Sequence, residues 1–127
     1  MNKKEGKENN PLFFKADQLA KEVYLVTKNF PQNEMYGIIS QLRRAALSVI
    51  LNIIEGFARQ GEKEFRRFLL IAYGSLKETK YLLYFSKEQE YVVLDQYQKL
   101  LSLAEEESRL LWSVLHPKIN EQVTKNN

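Results

Sequence analysis

The stretch that decides the fold runs from Gln41 to Ala72 and reads QLRRAALSVILNIIEGFARQGEKEFRRFLLIA. It predicts the end of one long helix, a turn at Gln60-Gly61 and the start of another helix. An apolar stripe recurs along the first of these helices at steps of three or four residues, which is the period of one helix face. Its members are Met35, Ile39, Leu42, Ala46, Val49, Ile53 and Phe57.

A second apolar stripe lies roughly 140° further round the same helix. Its members are Leu47, Leu51, Ile54 and Ala58. An ordinary surface helix has one apolar stripe and a solvated back. We therefore expect this helix to pack against its own bundle on one side. On the other side it meets a further helix or another copy of the chain, which places Leu47, Leu51 and Ile54 in an oligomer interface.

Between the two stripes runs a polar one that contains Ser48, Asn52, Glu55 and Arg59. A buried carboxylate is costly unless it is paired and hydrogen-bonded. Arg59 follows Glu55 by four residues, which is the favourable acid-before-base order on a helix. We interpret the four residues as a structural polar network that fixes the register of the helix. A catalytic Glu55, assisted by Asn52 and Arg59, is the alternative.

The composition indicates a single globular domain with a real core, because the chain has 127 residues, 44% of them hydrophobic and 28% charged. The absence of cysteine excludes disulfides and thiolate metal sites and fits a reducing compartment. The first residues carry charge without the apolar segment of a signal peptide, and no apolar run was expected to approach membrane-spanning length. We expect a cytoplasmic protein with no membrane contact and no cofactor.

The rest of the chain predicts three more helices joined by short connections. The predicted helices cover about residues 12–29, 31–59, 62–87 and 92–115. Short loops between neighbours favour an all-α, up-down-up-down antiparallel four-helix bundle over residues 12–116. Residues 1–11 are expected to form a flexible arm and residues 117–127 a flexible tail. Gly74, in the middle of the third helix, is expected to allow the close approach of another backbone.

The core stripes of the third and fourth helices follow from the same spacing rule. The third helix has Phe65, Leu69, Ala72, Leu76, Thr79 and Leu83, and the fourth has Leu94, Tyr97, Leu101, Ala104, Ser108, Leu111 and Leu115. Glu105, Glu106 and Glu107 are expected to form mostly a solvated face, from which they could pair with the basic residues of a neighbouring copy.

Charge is distributed unevenly along the chain, whose net charge is +3. Residues 41–80 contain eight Lys or Arg and four acids, whereas residues 88–107 contain six acids and only Lys99 as a base. This polarity suits either nucleic acid on one face or head-to-tail pairing of identical subunits. The candidate phosphate-binding residues are Arg43, Arg44, Arg59, Lys63, Arg66 and Arg67. Tyr73, Tyr81 and Tyr84 would stack on bases, or Tyr73 and Tyr81 would lie in a subunit interface.

Three runs of residues resemble one known family, the four-helix-bundle proteins named after the 23S ribosomal RNA intervening sequence. The runs are QLRRAALSV at 41–49, NIIEGFAR at 52–59 and EFRRFLLIAYGSLKE at 64–78. They occur in the family's order and spacing, and the Phe30-Pro31 junction matches as well. The chain departs from the family pattern at Ile50 and Leu51, where proline and a small residue are common, and after Glu78, where a second acid is usual.

The resemblance implies a bundle that assembles into a ring-like homopentamer with a poorly defined biochemical role. A similar fold occurs in the accessory variability proteins of diversity-generating retroelements, which bind a reverse transcriptase and nucleic acid, and the analogy to them is at the level of the fold. The first hypothesis is therefore a non-enzymatic, oligomeric accessory protein that binds RNA or DNA through a basic surface on helices two and three. The alternative is a scaffold for another protein, such as a polymerase or reverse transcriptase.

An enzyme is the third hypothesis, and the residue inventory argues against it. His116 is the only histidine and directly precedes Pro117 at the end of the last predicted helix, which argues against a multi-histidine metal site or a Ser-His-Asp triad within one chain. There is no Gly-rich phosphate loop, no H-E-x-x-H and no G-x-S-x-G. The sequence therefore predicts no catalytic residues and no metal.

Overall fold

The computed structural model describes residues 10–117, which form four α-helices and no strand within that range. Helix α1 spans Pro11–Thr27, α2 spans Ser40–Ala58, α3 spans Glu62–Glu88 and α4 spans Leu94–Leu115. The predicted all-α class is confirmed. The flexible arm and tail that we expected fall almost wholly on residues 1–9 and 118–127, outside the described range.

The four helices enclose one apolar core. α2 packs on α1 and α3, and α4 packs on α3 and α1, so each helix has two neighbours. Most of the core residues predicted for α2 and α3 are fully buried, among them Leu42, Val49, Ile53, Leu69 and Leu76. Burial of large aliphatic side chains of this kind supplies the main favourable term in folding.

An N-cap residue and a first-turn proline define the start of helix α1. The Asn10 side chain accepts a hydrogen bond from the backbone N–H of Leu12 at 2.8 Å, and Pro11 occupies the first turn, where its missing N–H costs nothing. The helix ends at Thr27, whose hydroxyl donates back to the carbonyl of Val23 at 2.8 Å.

The segment before α2 does not continue the helix as predicted. Gln32–Glu34 form a 3₁₀ turn and Met35–Ile39 a π-helical turn, with non-helical backbone angles at Gly37. Met35 is consequently exposed, and its predicted place in the core is wrong. A Cβ at Gly37 would lie 2.6 Å from Oε1 of Glu34, so the glycine leaves room for that carboxylate.

The Glu34 carboxylate connects this irregular segment to the loop before α4. The Tyr91 hydroxyl donates to Oε2 of Glu34 at 2.8 Å, across 57 positions of sequence, and the ring of Tyr91 lies 5.6 Å from that of Phe30. The hydrogen bond and burial both raise the pKa of the Tyr91 phenol above its usual value. Two loops at the same end of the molecule are therefore joined directly.

The glycine that packing requires is Gly56 rather than the predicted Gly74, and Gly61 lies in the turn as predicted. Gly61 has φ +91°, in the region that favours glycine, and it starts α3. Gly56 is buried, and a Cβ there would lie 2.8 Å from Cδ1 of Leu69 and 3.4 Å from the carbonyl of Phe65. A Cβ at Gly74 would meet nothing within 4 Å in the protomer, so the expected close approach is absent there.

Helix α4 buries a different stripe from the predicted one over its first half. Leu94 is exposed and Tyr97 and Leu101 are only partly buried, whereas Leu100, Leu103 and Glu107 are buried. The second half follows the prediction, with Ala104, Ser108, Leu111 and Leu115 buried.

By length and composition, one helical stretch of the described residues, Gln32–Ala58, could cross a membrane. The expectation that no apolar run approaches that length is wrong for this segment. The observation is weak evidence for a membrane span, because the central helix of a bundle core has the same character.

Candidate nucleic-acid interface

The turn between α2 and α3 brings together four of the six predicted phosphate-binding residues. Arg59, Lys63, Arg66 and Arg67 are all exposed there. The guanidinium groups of Arg59 and Arg67 lie 4.9 and 4.5 Å from the centroid of the Phe68 ring. Two cations from different helices therefore contact one partly buried ring, an arrangement that holds both side chains at this end of the molecule.

Acidic side chains compensate part of that charge. Arg59 pairs with Glu55 at 3.1 Å and Arg67 with Glu64 at 3.0 Å. Because both pairs lie on the surface, each is weak and salt-sensitive. Both guanidinium groups are therefore shared between a carboxylate and the ring of Phe68.

Two of the six predicted cations, Arg43 and the turn residue Arg66, bond within the bundle. Arg43 donates from Nε to the Thr27 hydroxyl at 2.8 Å and lies 4.5 Å from the Tyr24 ring centroid, which connects α2 to α1. Arg66 donates to the backbone carbonyl of Leu115 and so connects α3 to α4. Arg44 is exposed on α2, away from the α2–α3 turn. The six residues are therefore spread over three places.

The predicted polar network separates into two parts. The hydroxyls of Ser48 and Ser75 lie 2.7 Å apart, and the Asn52 amide donates to the Ser48 carbonyl at 2.8 Å and to its hydroxyl at 3.1 Å. This group joins α2 to α3 and fixes their register. Glu55 instead lies on the surface with Arg59, so the cost of burying its carboxylate does not arise.

The carboxylate that is buried is Glu107, which we had assigned to a solvated acidic face. Its side chain is fully buried, and neither oxygen has a hydrogen-bond partner among residues 10–117. Burial raises its pKa to about 8, although Lys15 acts in the opposite direction. The two preceding glutamates are also engaged within the protomer, Glu105 with Lys80 at 3.4 Å and Glu106 with Lys15. Burial keeps Glu107 from pairing with a neighbour's bases, and the predicted pairing of Glu105 and Glu106 with a neighbouring copy stays a prediction.

The predicted interface stripe lines an apolar groove between α1 and α2, with a volume of about 630 Å³. Leu51 is 55% exposed, and Leu47 and Ile54 are partly buried. Leu25 of α1, also 55% exposed, lines the same groove. We call it the α1–α2 groove. Its other lining residues are Phe13, Asp17, Ala20, Lys21, Tyr24, Lys28 and Ile50.

The two tyrosines predicted for an interface lie about two turns apart on α3 and line different clefts. Tyr81 is exposed near the C-terminal end of α3, beside Tyr84 and Phe85, with ring centroids 6.5 and 6.4 Å away. Tyr73 is partly buried in the middle of α3, and its ring centroid lies 5.9 Å from that of Trp112 on α4. The structure does not bring them into one patch.

A cleft between α3 and α4 joins Tyr73, which the sequence singled out, to candidates on α4 that it did not. Its volume is about 490 Å³, and we call it the α3–α4 cleft. It is lined by Tyr73, Lys77, Lys80, Glu105, Ser108, Arg109, Trp112 and Ser113. The available signal was the face of the third helix on which Tyr73 and Lys77 alternate with apolar residues. The sequence did not indicate that α4 lines a cleft, because Arg109 and Trp112 follow closely on its acidic run.

Comparison with known proteins places the chain in a family. Residues 8–113 match the family described as 23S rRNA-intervening sequence protein. A crystal structure of a protein of unknown function from Bacteroides thetaiotaomicron, assigned to the S23 ribosomal protein family, superposes with a TM-score of 0.75 at 25% identity. The alignment covers 83% of this chain and 98% of that one. No curated protein matches the chain. The match over most of its length shows that the chain belongs to the 23S rRNA-intervening sequence protein family.

Proposed function

We propose that this protein is a non-enzymatic, oligomeric accessory protein that binds RNA or DNA through the basic surface at the α2–α3 turn. The observation that carries the proposal is the pair Arg59 and Arg67, held on either side of the turn against the ring of Phe68. Planar guanidinium groups bind phosphate in a bidentate manner, and Lys63 adds an exposed point charge beside them.

Charge reversal tests this assignment. We expect Lys63→Glu and Arg67→Glu each to weaken binding of a labelled RNA about tenfold at low salt, because each loses a phosphate contact. Each variant should also reduce the slope of log affinity against log salt concentration by about one. Fluorescence anisotropy over a salt series measures both quantities.

The control is Lys99→Glu, which makes the same change of charge on α4, where Lys99 pairs with Glu22 at 3.5 Å. It should bind RNA nearly as well as the unmodified protein. Equal losses in all three variants would show only a response to net charge and would contradict binding at the turn.

We also propose that neighbouring helices of the bundle run antiparallel. Between α2 and α3, Ser48 contacts Ser75, and Gly56 lies against Leu69. Between α1 and α4, Lys15 pairs with Glu106 and Glu22 with Lys99. In both helix pairs, the residue numbers of the contacts rise along one helix as they fall along the other, so the two helices run in opposite directions. This supports an up-down-up-down bundle.

The assembly that we propose is a homo-oligomer formed through the α1–α2 groove, with the pentamer implied by the family resemblance as the expected copy number. A groove with Leu25 and Leu51 each more than half exposed favours an apolar partner, and a second copy offers one. The same groove is the observation that favours the second candidate function, a scaffold for another protein such as a polymerase, with no direct role in nucleic-acid binding.

The non-enzymatic part rests on the surroundings of the candidate residues. The Glu55 carboxylate is exposed and ion-paired rather than set in a shaped pocket. Within residues 10–117, no three His, Cys, Asp or Glu side chains are grouped so as to hold a metal ion. Cytoplasmic residence and the absence of membrane contact stay predictions.

A further inference from the structure

The α3–α4 cleft combines exposed aromatic rings with cations. Trp112 is 48% exposed, and the ring of Tyr73 faces it at 5.9 Å between centroids with an interplanar angle of 46°. His116 stacks on the indole at 3.7 Å and 28°, which covers one face of Trp112. A planar ligand in the cleft would therefore meet the other side of the indole and the edge or face of Tyr73.

The charged groups of the cleft are three cations and one carboxylate. Nζ of Lys77 lies 5.3 Å from the centroid of the Tyr73 ring, and Lys80 pairs with Glu105 at 3.4 Å. Arg109 is exposed on α4. The lining thus carries an excess of two positive charges beside two aromatic rings, and Ser108 and Ser113 add hydroxyls.

We propose that the α3–α4 cleft binds a nucleotide of a single-stranded nucleic acid. A base would stack on Trp112 and Tyr73, and the adjoining phosphates would contact Lys77, Lys80 and Arg109. Aromatic rings next to cations bind single strands, because every base offers a π-face and every linkage a charge. A duplex hides its bases in the stack and leaves the rings of the cleft without a partner.

This inference rests on the proposed binding of nucleic acid but uses different residues from the α2–α3 turn. The turn offers cations around a ring that is already covered by Arg59 and Arg67. The cleft offers rings that a base can reach. The two proposed sites therefore bind different parts of the nucleic acid, the turn its phosphates and the cleft a base.

The chain contains a single tryptophan among seven tyrosines, so fluorescence excited at wavelengths that only the indole absorbs reports on this cleft alone. The probe is an oligothymidylate of about 12 nucleotides, within the roughly 4–16 nucleotides bound by single-strand-binding folds. We expect it to quench Trp112 fluorescence to saturation, at the same concentrations at which a labelled copy gains anisotropy. The matching duplex should leave the fluorescence unchanged.

Variants separate stacking from general electrostatics. Trp112→Ala should lower the affinity for the oligothymidylate by about 5- to 150-fold, the range that corresponds to one stacked base, and Trp112→Phe should restore most of it. Lys77→Ala and Arg109→Ala should each weaken binding, whereas Lys99→Ala should not. Circular dichroism confirms that each variant is folded.

The outcomes distinguish this inference from the proposed function. Binding seen by anisotropy without quenching, and unchanged by Trp112→Ala, would overturn the cleft assignment and leave the α2–α3 turn intact. No binding of any nucleic acid would overturn both. Fluorescence that changes with protein concentration but not with oligothymidylate would show that the cleft lies in a subunit interface, which also overturns the assignment.

Discussion

The carboxyl group of Glu107 lies among apolar side chains in the core of the protein. The run Glu105–Glu107 reads as one solvated patch, yet successive helical residues point about 100° apart, so three neighbours in sequence face three directions. Glu105 reaches Lys80 on α3, Glu106 reaches Lys15 on α1, and Glu107 points inward between them. The sequence shows which residues are acidic but not which of them faces the core.

Glu107 makes the stability of the fold depend on pH. Its pKa is about 8 in the folded protein, against an ordinary value of 4.5, so above about pH 4.5 the folded state holds a proton that the unfolded chain has lost. The stabilisation is fully present below about pH 4.5 and is lost as the pH rises to about 8. We expect a decrease on the order of 5 kcal/mol in the free energy of unfolding, since the two pKa values differ by about 3.5 units and one unit corresponds to about 1.4 kcal/mol.

Glu107→Gln should abolish most of that decrease, because the amide has nearly the same shape and does not ionise. Urea unfolding at about pH 5 and pH 8.5 measures it. Glu106→Gln is the neighbouring control: its pKa is lowered by the hydrogen bond and charge of Lys15, so it cannot produce a loss in that range. A Glu107→Gln variant that kept the full pH dependence would show that another group is responsible.

Two glycines give a matched pair of substitutions. Gly56→Ala should destabilise the fold by roughly 1–3 kcal/mol, because the added methyl group overlaps the Leu69 side chain, and this outweighs the gain of about 1 kcal/mol in helix propensity. Gly74→Ala, with open space around it, should show only that gain. Thermal unfolding compares the two. A destabilising Gly74→Ala would place another subunit against that position.

Among the helices, α2 and α3 could be read from the sequence almost completely, whereas the segment before α2 and the first half of α4 could not. α3 also contains adjacent apolar residues, at Phe68–Ala72 and Leu82-Leu83, and there the predicted stripe through Leu69, Leu76 and Leu83 is the buried one. α4 contains adjacent apolar pairs, Leu100-Leu101 and Leu110-Leu111, so two faces satisfy the same spacing. Packing against α1 decides between them.

The irregular segment before α2 could not be predicted from the sequence for a different reason. The residues Met35 to Ile39 fit helical periodicity, and the π-helical turn depends on a contact that sequence spacing does not reveal, the seating of Glu34 beside Gly37 and Tyr91. Of the candidate site, the basic residues at the α2–α3 turn could be named from the sequence. The α3–α4 cleft could not, because its two halves are about 35 residues apart.

For the molecule as a whole, assembly through the α1–α2 groove is the property that one substitution can test. Leu51→Asp places a charge in the middle of the groove, which an apolar interface cannot accommodate without a large desolvation cost. We expect light scattering to show a fall from the oligomeric mass to a smaller species. The absorbance ratio at about 260 and 280 nm on the same peak reports any nucleic acid that is carried along.

Leu70→Asp is the control, because Leu70 is a similarly exposed leucine (48%) on α3, outside the groove. It should leave the mass unchanged. Dissociation by Leu70→Asp but not by Leu51→Asp would move the interface to α3 and leave the groove for another protein. A monomer in the unmodified protein would remove the assembly from the proposal altogether.

The hydrogen bond from Tyr91 to Glu34 has a consequence for local motion. Each of the two loops that it joins would, on its own, open to solvent at little cost, as loops at the end of a bundle do. Joined, they must open together, and the exposed backbone amides of both should exchange with deuterium at a common rate. At the opposite end of the molecule, Gly61 turns the chain between α2 and α3. The backbone amides there should exchange at a different rate, because the two ends of the bundle open independently.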